Sequence, residues 1–181
     1  ESFATLSDDE AAPIENPRYF RRAEMDLKKA QRRVSRRVKG SKGRKKAVGW
    51  LGKKHLKVKR QRRDFHFKEA RKLVAQYQRI TVEDLNIRGM VRNHHLAKSI
   101  SDAGWGQFIA IVIYKAEEAG RTVIKVNPSY TSQECSRCGH RNRMTLATRI
   151  YRCLQCGLVI HRDRNGAKRI EQKGRAAPSG S

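Results

Sequence analysis

Asn127-Pro128-Ser129-Tyr130-Thr131-Ser132-Gln133-Glu134-Cys135-Ser136-Arg137-Cys138-Gly139, followed 14 residues later by Cys153-Leu154-Gln155-Cys156-Gly157, is the most informative stretch of the chain. Each Cys-x-x-Cys pair turns back on itself so that both sulfurs face one point. The glycine after each second cysteine takes a backbone conformation that other residues resist. Two such turns supply four thiolates to one tetrahedral Zn²⁺, the ligand set of a zinc ribbon. The separation falls just under the usual spacing of about 15–20 residues, an ordinary loop variation. Arg149-Ile150-Tyr151-Arg152 reads as a strand entering the second pair. A redox Cys-x-x-Cys would not come doubled, and an iron–sulfur site usually shows uneven cysteine spacing. Zn²⁺ on Cys135, Cys138, Cys153 and Cys156 is therefore the expected cofactor. A closed Cys₄ site has no open position, so it stabilises a fold and catalyses nothing. His140 and His161 flank the pairs and read as surface residues.

These four are all the cysteines in 181 residues. With no stray thiol and no signal segment, they point to a reduced, cytoplasmic setting rather than a disulfide framework. No apolar run approaches a membrane-spanning length, so no membrane partner is expected. Lys and Arg number 42 against 17 Asp and Glu, a net charge of +25. A field of that size favours polyanions through phosphate neutralisation and counterion release.

Outward from the cysteines, the chain reads as short strands and long helices. Phe3 to Ser7 resembles a strand and Asp8-Asp9-Glu10 the turn after it. Asn16-Pro17 predicts a helix start, with Asn as the cap and Pro in the first turn. Phe20, Ala23, Leu27, Ala30, Val34 and Val38 then recur at spacings of three and four, and Gly40-Ser41-Lys42-Gly43 breaks the run. A second helix is predicted over 46–78, with Val48, Leu51, His55, Val58 and Phe65 along its seam. Together the two make an antiparallel hairpin. Between Arg18 and Lys72 lie 24 basic residues and four acidic ones, most of the net charge. Such an imbalance repels itself unless a polyanion lies alongside. Arg32, Arg33, Arg36, Arg37, Lys53, Lys54, Arg60, Arg62 and Arg63 are the candidate contacts, to backbone phosphates that carry little sequence information.

Beyond the hairpin, Ile80-Thr81-Val82 predicts a strand ending at Glu83. Helices follow over 94–102 and from Trp105, the latter with Trp105, Phe108, Ile109, Val112 and Ala116 on one face and Gly120 as its cap. Thr122 to Val126 reads as a buried strand, and a short helix opens at Asp163 and runs to about Gln172. Glu83 and Asp163 taken alone are unremarkable. A Glu at a strand end is usually solvated, and an Asp at a helix start usually caps it.

In combination they change meaning. Val82-Glu83-Asp84-Leu85-Asn86-Ile87 resembles the second RuvC motif of the transposon-encoded TnpB (OrfB) proteins, where the Glu is a metal ligand. Asn127 to Gly139 looks very like that family's segment entering its zinc ribbon. Asp163-Arg164-Asn165-Gly166-Ala167 is similar to the third motif, Asp-x-Asn-Ala/Gly-Ala, whose Asp is the last catalytic carboxylate. The order of helical insertion, Glu strand, ribbon and Asp helix also matches, over nearly the whole chain. Compact type V CRISPR effectors share the layout.

The resemblance implies an α/β fold. It would be an RNase H-like (RuvC) core, incomplete at its first strand, with a basic helical hairpin inserted and a Cys₄ zinc ribbon between the last two motifs. The corresponding divisions are 1–15, a remnant of the first motif; 16–79, the hairpin; 80–129, the core with the second motif; 130–160, the target-nucleic-acid-binding ribbon; 161–173, the third-motif helix; and 174–181, a disordered tail. The implied activity is RNA-guided DNA endonuclease, with guide RNA, target DNA, their RNA–DNA heteroduplex and the protein's N-terminal part as partners. Glu83 and Asp163 would bind catalytic Mg²⁺, which prefers hard oxygen ligands. The family's first motif, Gly-x-Asp-x-Gly, is expected just upstream of Phe3, so this stretch alone should cut poorly or not at all. The alternative is a catalytically inactive or truncated member that acts as a nucleic-acid-binding protein. The residue at the Asp position of that upstream motif separates the two.

Overall fold

The computed structural model describes residues 2–145 and 148–177. Two compact units divide the chain: one from the described parts of Glu1–Asn16, Leu73–Asn86 and Ile113–Ser181, the other from Pro17–Lys72 and Ile87–Val112.

The second unit is helical. It contains α1 (Tyr19–Ser35), most of α2 (Lys42–Gln76), α3 (Ile87–Met90), α4 (His94–Ala103) and the start of α5 (Trp105–Glu118). Leu27, Ala30 and Val34 of α1 are buried at the expected spacing. The helix does not begin on an Asn16 cap, however. Arg18 stands before it in the left-handed region, with no side-chain cap of its own. The free N–H groups of Phe20 and Arg21 donate instead to Asp102 Oδ1 at 2.9 Å and Oδ2 at 3.3 Å. A carboxylate at a helix N-terminus satisfies orphan donors and opposes the macrodipole. Here it comes from α4 and is itself buried.

The two long helices run antiparallel. Tyr19 meets Phe65 edge-on at 6.4 Å, Lys54 pairs with Asp26 at 3.1 Å, and Arg33 stacks over Trp50 at 5.6 Å. The Arg44 guanidinium donates to the carbonyls of Val34 and Arg37, both at 3.1 Å, and so closes the C-terminus of α1. The seam of α2 differs from expectation. Ala47 and Val58 are buried, while Val48 and His55 face out, so the first half of the contact face lies one residue earlier. Val38 is also exposed, because α1 has ended at Ser35.

Deeper in this unit His66 is fully buried against Phe108, and its Nε2 lies 2.9 Å from the Ala103 carbonyl. Burial holds its pKa below 6.5; the Ala103 carbonyl opposes that shift and the Arg62 charge adds to it. The unfolded chain therefore takes up a proton below about pH 6.5 that the folded chain refuses. Stability is full above that value and falls as the pH drops beneath it, until the folded imidazole protonates. We expect the melting temperature to fall between about pH 7.5 and about pH 5.5. The fall should be smaller in His66→Gln, measured by helical circular dichroism.

The first unit carries the strands, as three two-stranded sheets among the described residues. β1 (Ser2–Ala4) pairs antiparallel with β2 (Ile14–Glu15), β3 (Arg79–Glu83) parallel with β4 (Thr122–Val126), and β5 (Ile150–Arg152) antiparallel with β6 (Val159–His161). The parallel pair is in register from Arg79↔Thr122 to Glu83↔Val126. Parallel neighbours need a crossover, and α3 to α5 provide it. Only Val126 of β4 is buried, where the sequence suggests a buried strand. In a two-stranded sheet both members are edges, and each keeps one side open.

Helix α6 (Arg162–Ala176) packs on β3 and β4. It passes through Gly174 and Arg175, which the sequence assigns to a disordered tail; residues 178–181 of that tail lie outside the described residues. Gly174 is buried hard against Thr81. A Cβ placed on it would stand 2.8 Å from the Thr81 Cβ, and its carbonyl accepts from the Arg79 guanidinium at 2.7 Å. Near its other end, Arg164 donates to the carbonyls of Asp8 and Ala11, and Lys168 pairs with Asp9 at 2.5 Å, fixing the loop after β1. Tyr77 donates to the same loop at Asp8 Oδ2, 2.9 Å away.

Candidate functional site

The two cysteine pairs fold as matching knuckles. The N–H of Cys135 donates to the His140 carbonyl and that of Gly139 to the Cys135 carbonyl; Cys153 bonds Leu158 and Gly157 bonds Cys153 in the same way. Gly139 and Gly157 sit at φ 76° and 72°, the left-handed region that lets the chain turn behind the second sulfur. Backbone N–H groups of Arg137 and Cys156 point at the Cys135 and Cys153 sulfurs at 3.4 and 3.5 Å.

All four Sγ atoms lie within 4.8 Å of one another, and the Cys135–Cys156 and Cys138–Cys153 pairs are both 3.6 Å apart. Zinc–sulfur bonds of about 2.3 Å in a tetrahedron require sulfur separations of about 3.8 Å, so the donor set fits the ion. As free thiols the four are electrostatically uneven. The N–H groups of Cys156 and Gln155 pull Cys153 down to about 6. The His140 N–H also lowers Cys138, but burial and the neighbouring sulfurs outweigh it and push that thiol up to about 12.

Tyr151, absent from the sequence-derived candidates, is the centre of this tip. It is fully buried with Cys135 and Cys153, and Met144, Leu158 and Ile160 pack around them. Its hydroxyl reaches the Gln133 and His140 carbonyls, each at 3.2 Å. Burial first, and the cysteine sulfurs second, push its pKa up to about 12. His140 and His161 are exposed as expected, and among the described residues the metal-type cluster consists of cysteines alone. His161 caps α6, its Nδ1 accepting from the Asp163 N–H at 3.3 Å.

Helix α6 grips the first knuckle through one face. Fully buried Asn165 accepts from the Ser136 N–H at 2.9 Å and donates to the Glu134 carbonyl at 2.8 Å. Arg169 pairs with Glu134 at 2.5 Å, and Gln172 donates to the Ser136 carbonyl at 2.7 Å. The spacing 165, 169, 172 is the sequence signal that could have revealed this docking face.

Glu83 and Asp163 stand at the same end of the β3–α6 layer. Gly174 covers Thr81 and binds Arg79, whereas a Cβ placed on Gly166, one turn inside the helix start, would stand 3.8 Å from the Thr131 carbonyl oxygen. Thr131 in turn donates to Glu83 Oε1 at 2.5 Å. Helix α6 therefore runs from the Glu83 end of β3 towards its Arg79 end. Asp163 lies in the first turn beside the Arg162 guanidinium at 3.3 Å and borders a cleft lined by Ser2, Thr5, Arg149, His161 and Arg164.

In the helical unit Arg32, Arg33, Arg36, Arg37, Lys53, Arg60 and Arg63 are exposed, while Lys54 and Arg62 are half-buried. Several have partners within the chain. Arg33 and Lys54 flank Trp50, Arg63 lies over Phe67, and Arg62 donates to the Ser101 carbonyl. Among the described residues no helix is long and apolar enough to cross a membrane.

Comparison with known proteins now bears on this geometry. The OrfB_IS605 family model, described as "Probable transposase", matches residues 1–94, more than half of the chain. The chain belongs to the TnpB (OrfB) family. A second model, the Cas12f1-like TNB domain, matches residues 105–170, from α5 through the knuckles into α6. One relative of this OrfB chain is a Streptomyces pristinaespiralis protein named "Putative RNA-guided DNA endonuclease", 38% identical over 97% of this chain and 44% of its own length. Another is the CRISPR-associated endodeoxyribonuclease Cas12f1 of Sulfoacidibacillus thermotolerans, 50% identical over 62 residues, 33% of this chain and 14% of that protein. The fold is like that of Cas12f1 in a cryo-EM structure of its complex with sgRNA and target DNA. The TM-score is 0.60 at 20% identity, covering 92% of this chain and 45% of that one. The chain thus spans less than half the length of these relatives.

Proposed function

We propose that this OrfB chain is part of an RNA-guided DNA endonuclease associated with transposable elements. Its β3–β4–α6 layer belongs to an RNase H-like (RuvC) core, and Glu83 and Asp163 hold catalytic Mg²⁺. What supports this reading is the direction of α6: its contacts run from Thr131, bonded to Glu83, at its first turns to Thr81 and Arg79 near its end, and Asp163 lies in its first turn. Two hard carboxylates on rigid elements suit an ion that keeps several waters and needs few protein ligands. When bound, Mg²⁺ supplies an activated water and charge neutralisation at the phosphate being cut.

The chain's own residues do the rest. Thr131 holds one Glu83 oxygen, and Arg162 offsets the charge of Asp163. The cleft beside Asp163 leaves room for a substrate strand, with Arg149 and Arg164 in its wall. Cys135, Cys138, Cys153 and Cys156 hold a structural zinc that keeps the ribbon folded against α6. The cations of α1 and α2 neutralise phosphates of guide RNA, target DNA and their heteroduplex, while base pairing supplies sequence choice.

The test is guide-directed DNA cleavage with Mg²⁺ by the chain joined to its upstream motif and N-terminal part. Glu83→Gln is expected to lower cleavage on the order of 10³-fold, the equivalent of several kcal/mol of lost charge stabilisation. Target binding should survive. Cleavage near the wild-type rate would remove Glu83 from the site.

A further inference from the structure

We infer that Thr131 is the positioning residue of Glu83: its hydroxyl sets which carboxylate oxygen is left for the metal. This rests on the reading of Glu83 as a metal ligand.

The local geometry is built for that task. Asn127 Oδ1 accepts from the Ser129 N–H at 2.8 Å, and Tyr130 follows in the left-handed region at φ 63°. The Tyr130 carbonyl accepts from the N–H groups of Gln133 and Glu134, both at 2.9 Å. A tyrosine held at positive φ is uncommon and costs energy, which the surrounding bonds offset. The turn delivers Thr131, only 5% exposed, between the end of β3 and the first turns of α6.

The hydroxyl has two acceptors within reach, Glu83 Oε1 at 2.5 Å and the Pro128 carbonyl at 3.0 Å, but a single proton to donate. The carboxylate is charged and closer, so it takes the proton. Donation to Oε1 fixes the rotation of the carboxylate and leaves Oε2 open. Residues that orient a metal ligand in this way commonly govern metal affinity or activity by 10- to 100-fold, an order-of-magnitude guide. Thr131 also belongs to the segment that enters the first knuckle, so one side chain joins that segment to the carboxylate.

The test compares T131V, T131S and E83Q in the guide-loaded nuclease. One readout is the Mg²⁺ concentration giving half-maximal cleavage. The other is Mn²⁺ affinity in the absence of DNA, from water-proton relaxation. T131V, of equal shape but without the proton, should raise the half-maximal Mg²⁺ concentration and lower the Mn²⁺ affinity, each about tenfold. T131S, which keeps the hydroxyl, should stay near wild type. Unchanged values in T131V, with cleavage abolished in E83Q, would overturn the role of Thr131 and leave the nuclease reading standing. Intact cleavage in E83Q would overturn that reading itself. Should T131V lose zinc or melt early, T131A is set against T131S, and equal Mn²⁺ affinity in those two again overturns the proposal.

Discussion

Stripping the zinc proposed for the four cysteines, or replacing Cys153 by Ser, is expected to unfold the tip from Glu134 to His161 while the helical unit keeps its circular dichroism. Among its described residues the tip has two short strands and one small apolar cluster around Tyr151, too little buried surface to offset the entropy of ordering it. Structural zinc sites contribute on the order of 10 kcal/mol or more, so the metal decides whether this piece folds. Four sulfurs within 4.8 Å also repel one another once ionised without a cation among them. The loss should reach α6, because Asn165 and Gln172 would then face a backbone that no longer holds its turn. Hydrogen exchange at Cys135, Gly139, Cys153 and Gly157, before and after a strong chelator, reads the effect. Protection that survives proven metal loss would show that the Tyr151 cluster suffices.

Gly174→Ala is expected to destabilise the first unit by about 1–3 kcal/mol, as overpacking in a close contact does. Two effects oppose each other. Alanine in a helix interior is favoured over glycine by up to about 1 kcal/mol. Against this, the new methyl would meet the Thr81 Cβ at 2.8 Å, and that atom belongs to the strand and cannot swing away. Helix and strand must part, and the Arg79 bond to the Gly174 carbonyl stretches with them. The clash wins. Gly52→Ala is the control, since nothing lies within 4 Å of a Cβ there, and it should stabilise by up to about 1 kcal/mol. Thermal melting of the two variants should therefore move in opposite directions.

What was legible in the sequence was local. The cysteine knuckles could be read because two residues and a glycine at fixed spacing define the turn. The end of β3 and the start of α6 could be read because periodicity changes where they meet loops. The α1–α2 hairpin followed from apolar spacing, although the seam of α2 shifted by one residue where Ala47 took the inner position from Val48. What could not be read was set by partners far along the chain. Nothing near Asn16 announces that Asp102 will cap α1. Gly174 looks like a helix stop until Thr81 is seen to require its bare backbone, and Arg175 is held in the helix by Glu171 at 2.5 Å. Thr131 sits in a quoted motif, yet only the fold shows its hydroxyl on Glu83.

The Asp102 cap also sets a timetable for synthesis. More than 80 residues separate that carboxylate from the helix end it closes. At about 5–20 residues per second, a ribosome needs on the order of 4–16 s to make the interval. Throughout that time α1 lacks the carboxylate that closes its first turn. The start of α1 therefore cannot be closed until α4 has been made.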